Sequence, residues 1–409
     1  MELVFKVYQE VVKLKVNTAR ILFLGWLVLS LASRVFALDT IEPTWLRFWG
    51  GGENDRGYGV AIDARGNVYV TGRTTSFGSG KGDAFLLKYT PEGELLWERT
   101  WGGSEDDGAV GLALDARDNV YVAGRTVSVG TGNEDAFLLK YTPEGELLWE
   151  RTWGGSKNDW AGGIAVDARG NVYVTGGTCS FGAGKDLFLV KYTSEGEMLW
   201  EKTSGKREND WAGGVTIDSQ GNLYVMGGTN PFCTDEGYFL WDDDVFLVKY
   251  TPKGKVLWER SWDLCKDDWA GEITVDPRGD VYVVGTAWSG GGFFSVFLVK
   301  YTSEGEVLWD KLWPEHGRGS AGGVAVDAQG NVYVTGNTDF YSGGDEGAFL
   351  VKYTSEGELL WEKTWGDEGE GGSGIALDAQ GNVYVTGWTS FGSGKEDAFL
   401  MRIPSFLPR

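Results

Sequence analysis

The chain of 409 residues has one histidine, three cysteines and nine prolines. The shortage of histidine excludes most of the usual catalytic devices. A Ser-His-Asp relay, a histidine-rich zinc site and most acid–base chemistry near neutral pH depend on that side chain. His316 stands alone in a loop, where a solvated role is the ordinary one. An odd, low cysteine count excludes a disulfide framework. One bridge remains open to an exported protein. Cys233 and Cys265 are the better pair for it, since both fall in loops on one face around the fourth repeat. Three free or buried thiols, Cys179 included, are the alternative. No glycine-rich phosphate loop precedes a helix, because no segment reads as a helix.

Long apolar runs are also missing. The longest, Ile21–Ala32, is short of the roughly 20 residues that span a bilayer. Lys6, Lys13, Lys15 and Arg20 precede it, and Ser33-Arg34-Val35-Phe36-Ala37 follows. This pattern predicts a secretory signal peptide over residues 1–37, cleaved after Ala37, with 38–43 as a short linker. An uncleaved N-terminal anchor is the alternative, and either one places the rest outside the cytoplasm. Positive charge is scarce, with 37 Lys and Arg against 59 Asp and Glu and a net charge of −22. Loss of residues 1–37 takes that to about −25. Such a polyanion repels nucleic acid and anionic lipid, so membrane contact would come only through an uncleaved N-terminal segment.

What the chain has in plenty is glycine (64 residues), tryptophan (20) and repetition. A Gly-Asn-Val-Tyr-Val-type pentad recurs with its second residue at Asn67, Asn119, Asn171, Asn222, Asp280, Asn331 and Asn382. A period near 50 with several short β runs is the signature of a propeller. In the first repeat, Tyr58–Ile62, Val68–Thr71, Ala84–Tyr89 and Leu95–Trp101 read as strands, from β-branched and aromatic content between turn residues. The last repeat stops after its third strand. The first is preceded by an orphan fourth strand, Trp45–Trp49. The reading is therefore all-β: a single seven-bladed β-propeller over 44–404, four antiparallel strands per blade. The N-terminal strand (44–50) would complete the last blade, leaving 405–409 as a tail. A monomer is expected.

Three strings carry a family resemblance. They are Asp63-Ala64-Arg65-Gly66-Asn67-Val68-Tyr69-Val70-Thr71-Gly72, Asp83-Ala84-Phe85-Leu86-Leu87-Lys88-Tyr89-Thr90-Pro91-Glu92-Gly93-Glu94 and Leu95-Leu96-Trp97-Glu98-Arg99-Thr100-Trp101-Gly102, each repeated along the chain. On these strings the chain resembles the SBBP-type β-propeller repeat proteins over residues 44–404. The resemblance implies the fold and an exported bacterial or archaeal setting, and it carries no catalytic motif.

The repeat also explains most of the eye-catching residues. Asp63 and its equivalents open hairpins, where an Asp side chain caps backbone N–H groups. Lys88 and its equivalents are expected to face solvent or pair with the Glu beside the fourth-strand Trp. Thirteen tryptophans occupy fourth-strand positions and should pack between blades. Of the others, Trp26 belongs to the signal, and Trp388 lies outside the cluster that follows. Trp160, Trp211, Trp241, Trp269 and Trp288 all fall in blades 3–5, in or beside the loops of one face. Blade 4 alone carries a sizeable insertion, Asn230–Asp244, which includes Asp242 and Asp243. Exposed aromatics flanked by acids suit sugar faces and protein hot spots, so these seven residues are the candidate ligand site. Burial in a blade interface is the competing explanation for Trp160, Trp211 and Trp269. A ring of Asp55, Asp107, Asp159, Asp210 and Asp268 at the inner-strand starts is the candidate metal site. Ca²⁺ is the cation that such oxygens would take, and strand-start hydrogen bonding is the competing role.

Together these features predict a non-enzymatic recognition or scaffold module for a glycan or a cell-surface protein. A carboxylate-driven glycan hydrolase and a passive surface-layer component are the alternatives.

Overall fold

The computed structural model describes residues 41–182, 184–205, 209–230, 244–262, 268–290, 293–313, 319–338, 347–366, 369–390, 392 and 395–405. Pro43–Ser405 forms one unit. In it, 28 strands are arranged as seven four-stranded antiparallel sheets. The first blade runs Asp55–Ile62, Val68–Thr74, Asp83–Tyr89 and Leu95–Trp101, from the channel outward. The ring closes as the sequence predicts. Trp45–Trp49 pairs antiparallel with the third strand of blade 7, Trp45 opposite Arg402 and Trp49 opposite Ala398.

Each blade has an obligatory tight turn between its first two strands. In blade 1, Asp63 Oδ1 accepts from the Arg65 and Asn67 amides at 2.9 and 2.8 Å, and Oδ2 accepts from Asn67 Nδ2 at 2.7 Å. Gly66 takes φ 85° in this turn. Blade 2 has Asp118 at that place with φ 62°, the one non-glycine at positive φ among the described residues. A left-handed non-glycine residue costs roughly 1–2 kcal/mol, part of which glycine returns through the entropy of the unfolded chain. Asp118→Gly is therefore expected to stabilise the protein by about 0.5–1 kcal/mol. The denaturation midpoint should rise at unchanged slope, and a lowered midpoint would contradict this account of the turn.

The cores lie between blades. One cluster joins Tyr69, Ala84 and Leu86 of blade 1 to Val120, Val122, Phe137 and Leu139 of blade 2. Second and third strands are buried on both faces, which is why they read as near-continuous apolar runs. Fourth-strand tryptophans bridge the seams. Trp97 Nε1 donates to Pro143 O of the next blade at 3.2 Å, and Trp101 Nε1 to Glu150 Oε2 at 2.9 Å.

The third-strand lysines differ from the sequence reading. Lys88 is 8% exposed, as buried as its neighbours. Its ammonium donates to Pro143 O at 2.8 Å, sits 4.9 Å from the Tyr69 ring centroid and lies 3.9 Å from Asp63 Oδ2. Lys140, Lys191, Lys249 and Lys300 likewise reach a carbonyl of the following blade. Burial lowers the Lys88 pKa, with the Asp63 charge opposing. These lysines pin one blade to the next.

Candidate functional site

Inner strands begin at the face that also carries the second-to-third-strand loops and the crossovers. Their first residue is the predicted aspartate ring, and Asp55, Asp107, Asp159, Asp210 and Asp268 are all buried. Asp107 shows what they do. Its Oδ1 accepts from Thr126 Oγ1 at 2.5 Å and from the Val127 and Ser128 amides. Its Oδ2 accepts from Ser128 Oγ at 2.6 Å and from the Gly103 amide at 2.7 Å. Burial alone would raise this carboxyl, but the hydrogen bonds outweigh it and hold the pKa below the usual value. Asp55 and Asp159 are clasped in the same way by Ser76 and Ser180 and by Thr74 and Thr178. Each clasp ties a strand start to the loop of its own blade. Among the described residues, no three His, Cys, Asp or Glu side chains converge where they could hold a metal ion.

A second carboxylate approaches each clasp from the preceding blade. A Cβ on Gly102 would meet Asp83 Oδ1 at 2.4 Å and Asp107 Oδ2 at 2.7 Å. Asp83 is pushed up, first by burial and further by the Asp107 charge. The same pinch recurs at Gly154 between Asp135 and Asp159, and at Gly50 between Asp397 and Asp55.

The second residue of the inner strand faces a partner on the second strand. In register these pairs are Arg56–Arg73, Gly108–Arg125, Trp160–Gly177, Trp211–Gly228, Trp269–Thr286, Ser320–Asn337 and Gly371–Trp388. Directly opposed side chains compete for one space, so an indole is accommodated where its partner is glycine. A Cβ on Gly177 would fall 2.3 Å from Trp160 Cζ2, and one on Gly371 would fall 2.2 Å from Trp388 Cζ2. Trp211 Nε1 would be 3.0 Å from a Cβ on Gly228. Trp269 packs instead on Phe294, with ring centroids 5.3 Å apart. All four indoles are half-buried. Lys185 Nζ stands 5.9 Å from the Trp160 ring, and the Arg56 guanidinium 5.2 Å from that of Trp388.

Blades 1 and 2 fill the same positions with arginine, and each guanidinium is paired. Arg56 binds Glu396 and Arg73 binds Asp106, while Arg125 reaches Glu134 at 2.8 Å. The hydrogen bond to Glu396 raises the Arg56 pKa despite the opposing effect of burial.

The structure thus places Trp160, Trp211 and Trp269 at one level of the mouth and adds Trp388, which sequence reasoning set aside. The signal for Trp388 lay in the strand register, which exchanges the positions of indole and glycine. Trp211 also packs against the core between blades 4 and 5. Trp241, Asp242, Asp243, Cys233, Cys265 and His316 lie outside the described residues, as does the N-terminal segment 1–37. Trp288 falls in the strand Val281–Gly290 opposite Phe294, with its side chain outside the description. Cys179 is a free thiol, which burial pushes up in pKa.

A family model described as the SBBP β-propeller repeat matches residues 45–78, 153–180 and 372–393. An uncharacterized WD repeat-containing protein of Acanthamoeba polyphaga mimivirus is 22% identical over 76% of this chain and 31% of its own length. The regulatory protein FlaEY of Caulobacter vibrioides is 27% identical over 40% of this chain and 21% of its own. The chain therefore spans under a third of either relative. Among solved structures, a gluconolactonase from Xanthomonas campestris aligns at TM-score 0.43 and 12% identity, covering 89% of this chain and 91% of that one. A protein of unknown function from Dyadobacter fermentans aligns at TM-score 0.49 and 12% identity, covering 89% and 98%.

Proposed function

We propose that this chain, a seven-bladed propeller of SBBP-type repeats, is an exported, non-enzymatic recognition module. Its ligand is a glycan, taken at the mouth that carries Trp160, Trp211, Trp269 and Trp388. The observation behind this reading is the set of four half-buried indoles at one cross-strand level, three of them laid against glycine. An indole supported from behind offers a flat apolar face to the C–H groups of a sugar ring. The paired arginines and acids of blades 1 and 2 supply hydrogen-bonding groups beside it. The N-terminal segment and the acidic composition support export.

Hydrolysis fits this mouth less well. It needs two carboxyl groups about 5–9.5 Å apart, one of them able to carry a proton. The carboxylates that do come together, Asp83 with Asp107, Asp135 with Asp159 and Asp397 with Asp55, are at most 2% exposed. Loop amides and hydroxyls engage Asp83, Asp135 and the clasped aspartates, so a sugar oxygen does not reach them. Among the described residues the one carboxylate on the channel wall, Glu272, lies four residues along its strand from Asp268, about 13 Å away.

The test is an array of glycans and polysaccharides probed with residues 38–409. Saturable binding to a subset of sugars is expected, with the bound sugar recovered uncut after incubation. A cleaved product would replace the module with a hydrolase. An array with no bound sugar would end the glycan reading and send the search to cell-surface proteins or to a passive structural role.

A further inference from the structure

One equivalent position of the inner strands, just past the bulge, borders the central channel, and in six blades it is glycine: Gly59, Gly111, Gly163, Gly214, Gly323 and Gly374. The strands there nearly touch. A Cβ on Gly163 would stand 3.0 Å from Gly214 Cα, and one on Gly59 would stand 3.1 Å from Gly111 Cα. Blade 5 alone departs, with Glu272. Among the described residues it is the one charged side chain on the wall of a channel of about 180 Å³, and Tyr58 is the one other titratable group there. Asp268, Asp210 and Glu370 stand at the strand starts, toward the mouth.

Glu272 is half-buried, and a carboxylate partly withdrawn from bulk water with no counter-charge beside it is destabilising. Its one hydrogen bond among the described residues is from the Val324 amide, 3.1 Å from Oε2. Burial pushes the Glu272 carboxyl up to about 7, with the Val324 amide opposing. Among the described residues no lysine or arginine lines the channel. Beside the carboxylate there is room and there are oxygens. A Cβ on Gly323 would meet Glu272 Oε2 at 2.8 Å and Ser373 O of blade 7 at 3.0 Å. Ile375 Cγ2 stands 3.0 Å from the same point, so this spot is closed, but it brings the Glu272 carboxylate and the Ser373 carbonyl close together beside the channel. Glycine along the wall leaves further peptide groups uncovered, and about 180 Å³ holds several waters at roughly 30 Å³ each.

We propose that the channel beside Glu272 is a binding site for a hard metal cation, held by the Glu272 carboxylate, the Ser373 carbonyl and channel water. One carboxylate with neutral oxygens matches a monovalent ion such as Na⁺ or K⁺, or a weakly held Ca²⁺. The net charge of −22 raises the local concentration of any of them. Since the folded pKa lies above the ordinary value of 4.5, ionising Glu272 destabilises the fold as pH rises through about 7. A cation offsets that loss, so its effect belongs to alkaline pH.

The experiment is thermal unfolding of residues 38–409 at pH 8 and pH 5.5. NaCl, KCl and CaCl₂ are each compared with tetramethylammonium chloride at equal ionic strength. Glu272→Gly restores the residue found in the other six blades, and Glu272→Gln keeps the volume without the charge. At least one metal ion is expected to raise the wild-type midpoint by about 2–4 °C at pH 8, with the response lost at pH 5.5 and in either variant. An equal response in wild type and Glu272→Gly would place the ion elsewhere. No ion-specific response in the wild type would overturn the site.

Discussion

A chain that begins at residue 51, lacking the strand Trp45–Trp49, will not reach the native ring: soluble yield collapses, or the unfolding midpoint falls by more than about 15 °C. The strand is five residues long, yet it holds two seams. It pairs with Ala398–Arg402 of the third strand of blade 7, Asp397–Ile403, and that strand is almost entirely buried. Without it, an apolar edge with unpaired amides and carbonyls is presented to other chains, a template for aggregation. The same strand locks blade 7 to blade 1. Trp45 Nε1 donates to Pro91 O at 3.2 Å, Arg47 Nε donates to Gly93 O at 2.7 Å, and Trp49 Nε1 donates to Glu98 Oε2 at 2.7 Å. The Trp49 ring also lies 4.5 Å from that of Phe85. Truncating one buried tryptophan costs about 3–5 kcal/mol. Trp49 is buried and Trp45 half-buried, so losing both removes a large part of the roughly 5–15 kcal/mol total stability of an ordinary domain. Trp45→Ala/Trp49→Ala should reproduce most of the loss with the backbone pairing intact. A shortened chain that unfolds at the wild-type temperature would contradict closure by this strand.

The second large effect is expected at a single atom. Each second strand carries a glycine where the inner strand bulges past it: Gly72, Gly124, Gly176, Gly227, Gly285, Gly336 and Gly387. A Cβ on Gly227 would lie 1.9 Å from Trp211 O and 2.5 Å from Phe246 Cζ. The carbonyl belongs to the backbone of a paired strand, so it cannot move aside without breaking the ladder. Gly227→Val should cost on the order of 4 kcal/mol or more and shift the first two strands of blade 4 apart. Gly52→Ala provides the contrast, since nothing lies within 4 Å of its Cβ position, and it should change stability by less than about 0.5 kcal/mol. Urea denaturation of the two variants checks both statements. Similar midpoints would sink the steric argument.

Architecture was legible because it repeats. A hairpin aspartate, a tryptophan pair and a glycine recur at one spacing, and only a ring of blades satisfies all seven copies at once. What local pattern could not disclose was the partner of each residue across a seam. Lys88 reads as solvent-facing because it is charged, yet its acceptor, Pro143 O, lies 55 residues away in the next blade. The clue was Ala84–Leu87, an unbroken apolar run directly before Lys88 that implies burial on both faces of the strand. The tryptophan cluster of blades 3–5 was visible as departures from the repeat. Trp388 was not grouped with it, because its glycine partner precedes it in sequence instead of following it. Glu272 stood in plain view as one acid among seven aligned positions. Its meaning depended on knowing that this position borders the central channel.

Recognition through the indoles of the mouth is tested most directly by calorimetric titration of the tightest-binding array sugar. The titration would compare wild type, Trp160→Ala/Trp269→Ala and the outer-strand control Leu96→Ser, whose parent residue is 51% exposed. Stacking on an aromatic side chain is worth about 1–3 kcal/mol per base in nucleic-acid binders; on that scale the double variant should bind at least about 30-fold more weakly. The control should match wild type, and all three should unfold cooperatively. Undiminished affinity in the folded double variant would contradict the account and place recognition on another surface of the propeller.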